Sequence, residues 1–281
     1  MEFVRHDDAD AFLAAAAPLL GRDGAVNSGF VSWARAFARN APVKGEPILL
    51  ATIHDNRVPV GIVLRRGGGP LALGESADAA AEMIATEIAA ETHDLPGIVG
   101  GLAACEAFAR RWRKVTGRVL SLRFHLRDYA LTSMPARTST PGAVRLATED
   151  DAAWLGDWLV AFLTEARVLD DPRRARSSIP KRIADGKLWV WDDAGAKSML
   201  GAFDVDDTAA RIAPVYTPPE YRGCGYASAL AAAVSRTLLE RGKQVIYLTT
   251  DLANATSNNI YQRIGYRPVG DQYQFDFVAP T

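Results

Sequence analysis

The chain has 281 residues, 48% hydrophobic and 23% charged, close to globular averages, which excludes a disordered or fibrous protein; at roughly 150 residues per domain the length suggests two domains. Lys and Arg number 32 against 33 Asp and Glu, a net charge of −1, which argues against a protein organised around nucleic acid. Two cysteines cannot make a disulfide framework, so a cytoplasmic location is expected.

The first residues do not read as a secretion signal, because Glu2, Asp7, Asp8 and Asp10 outnumber Arg5 where such a signal is positively charged. Ala11–Leu20 is apolar but broken by Pro18, and no stretch approaches the roughly 20 apolar residues of a membrane span. Leu49–Ile53, a turn through Asp55-Asn56, and Val60–Leu64 read as a hairpin. Ala77–Glu91 is helix-like. Arg110, Arg111, Arg113, Lys114 and Arg118 form a basic cluster, read as a solvated helix face rather than a nucleic-acid surface. Thr132–Gly142 is rich in Ser, Thr, Pro and Gly and reads as a linker. It separates a first domain, 1–131, from a second, 143–281.

The near-equal halves carry a weak repeat. Val4-Arg5 and Val144-Arg145 each precede an acidic cluster and an aromatic–Leu pair, Phe12-Leu13 and Trp154-Leu155, and Gly61 and Gly201 keep the same 140-residue offset. In the second half Ala152–Leu163 is a periodic helix. Leu188–Trp191 and Met199–Val205 form a second hairpin, and Arg211–Val215 a short strand. Ala227, Leu230, Ala231, Val234 and Leu238 mark one buried helical face, and Gly242 ends that helix. Val245–Thr250 is β-branched and aromatic, hence a strand. Ser257 or Asn258 is expected to cap a helix ending at Ile264, and Gln272–Val278 alternates as a half-buried strand. Strands alternating with helices give an α/β fold with a mixed sheet.

The chemistry concentrates in Pro214–Leu230. A strand ends at Thr217, and Arg222-Gly223-Cys224-Gly225-Tyr226-Ala227 opens a helix. Glycines let the backbone turn tightly and approach a ligand. The first N–H groups of a helix have no internal partner, and the dipole adds partial positive charge there. With Arg222 this makes an anion site suited to a pyrophosphate. No G-x-x-x-x-G-K-[ST] string exists, and Gly223-x-Gly225-x-x-Ser228 lacks the acid of a dinucleotide fold.

The stretch resembles the GNAT N-acetyltransferase superfamily. Arg222-x-x-Gly225-x-Ala227 matches that family's acetyl-CoA motif, [QR]-x-x-G-x-[GA], and Tyr216–Arg222 its usual entry into the loop. Asn254-x-x-Ser257-x-x-Ile260-Tyr261-Gln262-Arg263-Ile264-Gly265-Tyr266 matches its second signature. The resemblance covers roughly 143–278 and implies tandem GNAT-like domains, each a twisted mixed sheet flanked by helices. It implies an acetyl-CoA-dependent N-acetyltransferase that acts by direct attack of a primary amine, of a small molecule by family frequency, in a ternary complex. The alternative is a non-catalytic acyl-CoA-binding regulatory module.

By the resemblance, the backbone of Val215, Tyr216 and Thr217 meets the pantetheine arm. Arg222, Gly223, Cys224, Gly225, Tyr226 and Ala227 hold the pyrophosphate. Asn254 and Ser257 belong to the cofactor site, and Tyr261 protonates the departing thiolate. Cys224 fills a variable loop position and is not taken as a nucleophile. The family's strand glutamate is missing from Arg211–Val215, so Asp251 and Glu165 stand as candidates for the base or amine-binding carboxylate, with a water relay in reserve. Trp154, Trp158, Trp189 and Trp191 are expected in core and pocket wall. Histidines at 6, 54, 93 and 125 show no metal spacing, so no metal is expected. No nucleic-acid or membrane partner is expected either, and the choice between monomer and homodimer stays open. The 140-residue offset sets Arg222–Gly225 over Glu82–Ala85, which has an acid and no glycine. The first half therefore reads as a degenerate copy without the cofactor loop.

Overall fold

The computed structural model describes residues 1–21, 24–39, 48–168 and 171–280. In chain order, β1 (Glu2–Arg5), α1 (Ala9–Leu20), α2 (Gly24–Arg39), β2 (Ile48–Asp55), β3 (Val58–Arg66), β4 (Leu71–Leu73), α3 (Asp78–Glu91), β5 (Gly97–Gly100), α4 (Leu102–Thr116) and β6 (Val119–Leu131) come first. Then follow β7 (Ala143–Leu146), α5 (Ala152–Glu165), α6 (Pro172–Ser177), α7 (Ile179–Ala184), β8 (Leu188–Asp192), β9 (Ala196–Asp204), β10 (Ala209–Tyr216), α8 (Tyr226–Glu240), β11 (Val245–Asp251), α9 (Ala255–Ile264) and β12 (Arg267–Val278). A strand, helices, three strands, helix, strand, helix and strand thus occur twice, which is the repeat suggested by the sequence spacing.

The compact units do not follow the cut at 132–142. One gathers Met1–Asp128, Thr250–Asn254 and Pro268–Thr281; the other gathers Tyr129–Thr249 and Ala255–Arg267. The reason is the last strand. β12 pairs antiparallel with β5, from Tyr273↔Gly100 to Asp276↔Gly97. Gly97 admits it, since a Cβ there would strike the Phe275 carbonyl. Phe277 of β12 then lies 5.4 Å from Trp112 and 6.1 Å from Phe108 of α4. Burying one such aromatic stabilises by roughly 1.5–3 kcal/mol.

In the first unit the strands run β1-β2-β3-β4-β5-β12-β6, with β4 and β5 parallel. α3 and α4 cover one core with Ile84, Ile88, Phe108 and Trp112. α1 brings Phe12 and Leu19 against Ile62 and Leu64 in another. Asp8 starts α1 by accepting from the Ala11 N–H at 2.7 Å, which supplies one of the orphan donors with a partner.

In the second unit the order is β11-β10-β9-β8-β7, with β10 and β11 parallel. The stripe on α8 buries Leu230, Ala231, Val234 and Leu238 against Ile246, Leu248 and Tyr266. α5 and α7 bring Leu155, Leu159 and Ile179 onto Val190, Met199 and Tyr216. The segment 132–142 is tied down rather than loose. Pro135 is buried, and its carbonyl accepts from Arg236. The Pro141 carbonyl accepts from Trp191 Nε1 at 2.7 Å. α9 begins at Ala255, so Ser257 and Asn258 lie inside it and neither is its cap. Asn258 is instead buried, accepting from the Tyr129 hydroxyl at 2.8 Å.

Candidate active site

The glycine-loop region is built where β10 parts from β11. Their parallel pairing runs from Ala209↔Val245 to Arg211↔Tyr247, yet β10 continues to Tyr216. On its other side β10 pairs with β9, with a register shift between Ile212 and Val215, an irregularity of the kind that re-aims a strand beside functional sites. Gly201 of β9 makes room, because a Cβ there would lie 2.5 Å from the Ala213 carbonyl oxygen. Backbone polar groups of β10 beyond Arg211 therefore have no ladder with β11, and Val215, Tyr216 and Thr217 lie in this stretch.

The loop Thr217–Gly225 then turns into α8. Gly223 and Gly225 adopt φ of 80° and 83°, conformations that favour glycine. Gly225 occupies the N-cap position and no side chain caps the helix, so the first N–H groups of Tyr226 and Ala227 point out of an uncapped, partially positive end. Cys224 is exposed. Tyr226 donates to Asp193 Oδ2 at 2.7 Å, and that bond pushes its phenol up to about 12, which keeps the donor in place at neutral pH.

Arg222 is not a loose cation. Its guanidinium donates to both Glu165 oxygens at 2.7 and 2.9 Å, and its Nε to the Thr217 carbonyl at 2.9 Å. The Tyr216 hydroxyl donates to the same carboxylate at 3.1 Å. Burial first, then the Glu165 charge, raises the Tyr216 phenol. Glu165, at the end of α5, thus links that helix to the strand end and the glycine loop. To act as a base it would have to give up this pairing.

Two tyrosines of the second signature have different surroundings. Tyr266 is fully buried, and its hydroxyl shares a 2.8 Å hydrogen bond with Ser235 of α8. Tyr261 lies edge-on to it with ring centroids 5.8 Å apart. Burial raises the Tyr261 phenol above its ordinary range, and its hydroxyl has no partner among the described residues. Ser257 lies in the first turn of α9.

Asp251 and Asn254 belong to the first unit. Asp251 closes a tight turn, its Oδ1 accepting from the Ala253 N–H at 3.0 Å and its carbonyl from the Asn254 N–H at 2.9 Å. Leu252, between them, donates its N–H to the His125 carbonyl at 2.8 Å. His125 in turn bonds Asp271 Oδ2 through Nε2 at 3.0 Å and stacks on Tyr273 at 4.3 Å. Arg127 grips Asp271 with Nε at 2.7 Å and Nη2 at 2.9 Å, and this pairing, with the His125 bond, holds the Asp271 carboxyl below the usual carboxylate range. The sequence reading missed this cluster. Its members stand 146 and 144 residues apart, and their one local signal is the polar alternation of Arg123, His125 and Arg127 along β6.

In the first unit, four residues, Gly74–Ala77, join β4 to α3. They correspond to the nine of Thr217–Gly225. Glu82–Ala85 lies within α3, so the 140-residue offset misaligned the two loops. A Cβ on Gly74 would run into the Ile62 side chain, and Glu75 and Asp78 flank the helix start. Asp78 and Glu82 also pair with Arg110 of α4, at 2.9 and 3.4 Å, so part of the basic cluster is neutralised within its own unit.

The second unit thus combines a mixed sheet with helices on its faces, a strand that parts from its parallel neighbour, and an uncapped helix behind a glycine loop. Residues 153–266 match the sequence model of the Acetyltransferase (GNAT) family. That family is one of acetyl-CoA-dependent acetyltransferases. Solved structures match over nearly the whole length. A GNAT-family acetyltransferase from Colwellia psychrerythraea is 11% identical with a TM-score of 0.63, covering 99% of this chain and 100% of its own. A tandem GNAT protein from the clavulanic acid biosynthesis pathway is 13% identical with a TM-score of 0.59, covering 100% and 99%. A GCN5-related N-acetyltransferase from Sphaerobacter thermophilus is 15% identical with a TM-score of 0.60, covering 98% and 95%. These establish the fold. No curated protein matched by sequence. Among the described residues no group of three or more His, Cys, Asp or Glu is placed to hold a metal, and no helix is long and apolar enough to cross a membrane.

Proposed function

We propose that the chain is an N-acetyltransferase that passes the acetyl group of acetyl-CoA directly to a primary amine, of a small molecule, in a ternary complex. The observation that carries this reading is the uncapped start of α8 behind two left-handed glycines, following directly on a strand that has left its parallel neighbour. Amides of Gly223–Ala227 suit a pyrophosphate, and the stretch of Val215 to Thr217, which pairs with β9 but not with β11, suits the amides of a pantetheine arm. Asn254 and Ser257 complete the cofactor set by their place in the second signature.

Tyr261 is assigned as the acid. A desolvated phenol without an internal partner remains protonated at neutral pH and has a proton to give. The amine attacks the thioester carbonyl, the C–S bond breaks, and Tyr261 protonates the thiolate. A backbone N–H near Val215 would stabilise the oxyanion. Asp251 and Glu165 are the carboxylates first placed to receive or bind the amine. The first half, with its short acidic loop filled by Ile62, is read as a copy without a cofactor site, giving one CoA per chain.

Acetyl-CoA at 100 times its Kd should add about 2.7 kcal/mol of stability, and thiol release with amines should follow. Absence of both stabilisation and calorimetric binding would sink the reading. Binding of acetyl-CoA without thiol release from any amine would favour a regulatory acyl-CoA-binding module, and two equivalents of CoA per chain would overturn the single-site assignment.

A further inference from the structure

We propose that Glu165 is a positioning residue of the acetyl-CoA site, holding Arg222, and with it the glycine loop, in place for the pyrophosphate; the proposal rests on the transferase reading above. Every residue involved lies in the second unit.

The arrangement starts from helix spacing. Trp158, Phe162 and Glu165 stand at i, i+4 and i+7 of α5, so they share one face. The Tyr216 ring, at the end of β10, meets that face edge-on, 6.3 Å from Trp158 and 6.4 Å from Phe162. Its hydroxyl donates to Glu165 Oε1 at 3.1 Å and so fixes the carboxylate. Glu165 is the last residue of α5, where the negative end of the helix dipole opposes an acid. A cation beside it offsets that cost, and Arg222 is the cation.

The guanidinium is held along one edge. Nη2 donates to Glu165 Oε2 at 2.7 Å and to Oε1 at 2.9 Å, and Nε donates to the Thr217 carbonyl at 2.9 Å. The guanidinium carbon lies 5.7 Å from the Tyr216 ring centroid. A planar group gripped at both Nε and Nη2 keeps a fixed orientation. Nη1 donates to no group among the described residues, so its N–H groups remain for an anion. The Arg222 N–H donates to the Pro219 carbonyl at 3.2 Å. The residue that precedes Gly223 is therefore braced through both backbone and side chain. Because Glu165 offsets the charge of Arg222, the pair supplies direction rather than net attraction, which sets this role apart from that of a base.

The test is calorimetric titration with CoA, without an amine, of the intact chain as wild type, Glu165→Ala, Glu165→Gln, Arg222→Met and the double variant Glu165→Ala with Arg222→Met. Both side chains are about half exposed, 46% for Arg222 and 48% for Glu165, so the substitutions leave the core intact. Glu165→Ala should bind CoA about tenfold more weakly or worse, and the double variant should stay within about twofold of Arg222→Met, the non-additivity of two residues that act as one unit. Glu165→Gln should stay within about threefold of wild type, because its amide oxygen still accepts from Arg222. Glu165→Ala or Arg222→Met binding as tightly as wild type, or more tightly, overturns the proposal. So does a further loss of about fivefold in the double variant, since Glu165 would then act without Arg222. Glu165→Gln as weak as Glu165→Ala overturns positioning by hydrogen bonds. Wild-type protein that binds no CoA overturns the transferase reading, and the proposal with it.

Discussion

Replacing each tyrosine of the second signature by phenylalanine separates chemistry from packing. The Tyr266 hydroxyl is buried against Ser235 at 2.8 Å, so Tyr266→Phe leaves the Ser235 hydroxyl without that partner. A buried group left unsatisfied costs about 1–3 kcal/mol, and Tyr266→Phe should destabilise the protein by roughly that much. Tyr261→Phe removes a hydroxyl that pairs with nothing among the described residues and keeps the ring contact to Tyr266. Its stability should stay within about 0.5 kcal/mol of wild type. In catalysis the order reverses. Loss of a general acid lowers kcat by roughly 100- to 10,000-fold, which at 1.36 kcal/mol per decade is about 2.7–5.4 kcal/mol of barrier. Urea unfolding followed by tryptophan fluorescence measures the first quantity, and thiol release at saturating acetyl-CoA the second. A Tyr261→Phe enzyme with wild-type kcat would remove Tyr261 from the mechanism. A Tyr261→Phe protein destabilised as much as Tyr266→Phe would mean that its hydroxyl serves packing.

Other substitutions probe the frame around the site. Asp151 accepts from Arg145 at 2.7 and 3.1 Å and from the Thr148 N–H at 2.7 Å; burial opposes its charge, but these bonds leave its carboxyl below the usual range. Asp151→Asn should cost about 2 kcal/mol at pH 7, discounted because Arg145 is partly exposed. A depressed carboxyl contributes above its unfolded pKa of about 4 and loses that contribution as pH falls through the folded value. The gap between wild type and variant should therefore close on acidification, and a constant gap between pH 7 and 3 in urea titrations would contradict the assignment. Gly225→Val places a β-branched residue at φ 83°, with Cβ 3.1 Å from Thr140 Oγ1; calorimetry should find CoA binding at least tenfold weaker, and unchanged affinity would remove this glycine from the loop's design. Glu165→Gln should shift stability by less than about 1 kcal/mol, because both partners of its pair are about half exposed and such pairs are screened; a loss above 2 kcal/mol in thermal unfolding would show a desolvated pair.

The sequence was readable where the structure is local. The α8 stripe, both hairpins and the glycine loop each lie in one contiguous segment, with periods and turn residues that act over a few positions. Two features were not readable for the same physical reason. β12 pairs with β5 because Phe275 and Phe277 find their core beneath α3 and α4, and alternation in Gln272–Val278 states only that one face is buried, not whose core buries it. The His125–Asp271–Arg127 cluster depends on that pairing, so a division of the sequence at 132–142 hid it. The cap of α9 failed on a smaller scale. Ser257 and Asn258 have the right chemistry for a cap, but Asn258 is drawn into the helix by its bond to Tyr129, a contact 129 residues away.

The two copies of one element order also explain why a single anion site is the economical reading. What separates them is the connection after the strand, not the scaffold. Thr217–Gly225 is long enough to carry two left-handed glycines to the mouth of α8, with Arg222 steadied by Glu165 at its flank. Gly74–Ala77 must cross in four residues, and Ile62 fills the space beside Gly74. Glycines introduced into the shorter loop would not recover a site, because the loop has neither the length to expose amides nor relief from Glu75 and Asp78, whose charges repel a phosphate. On the proposed single-site reading, the first copy would lack binding through length, volume and charge together.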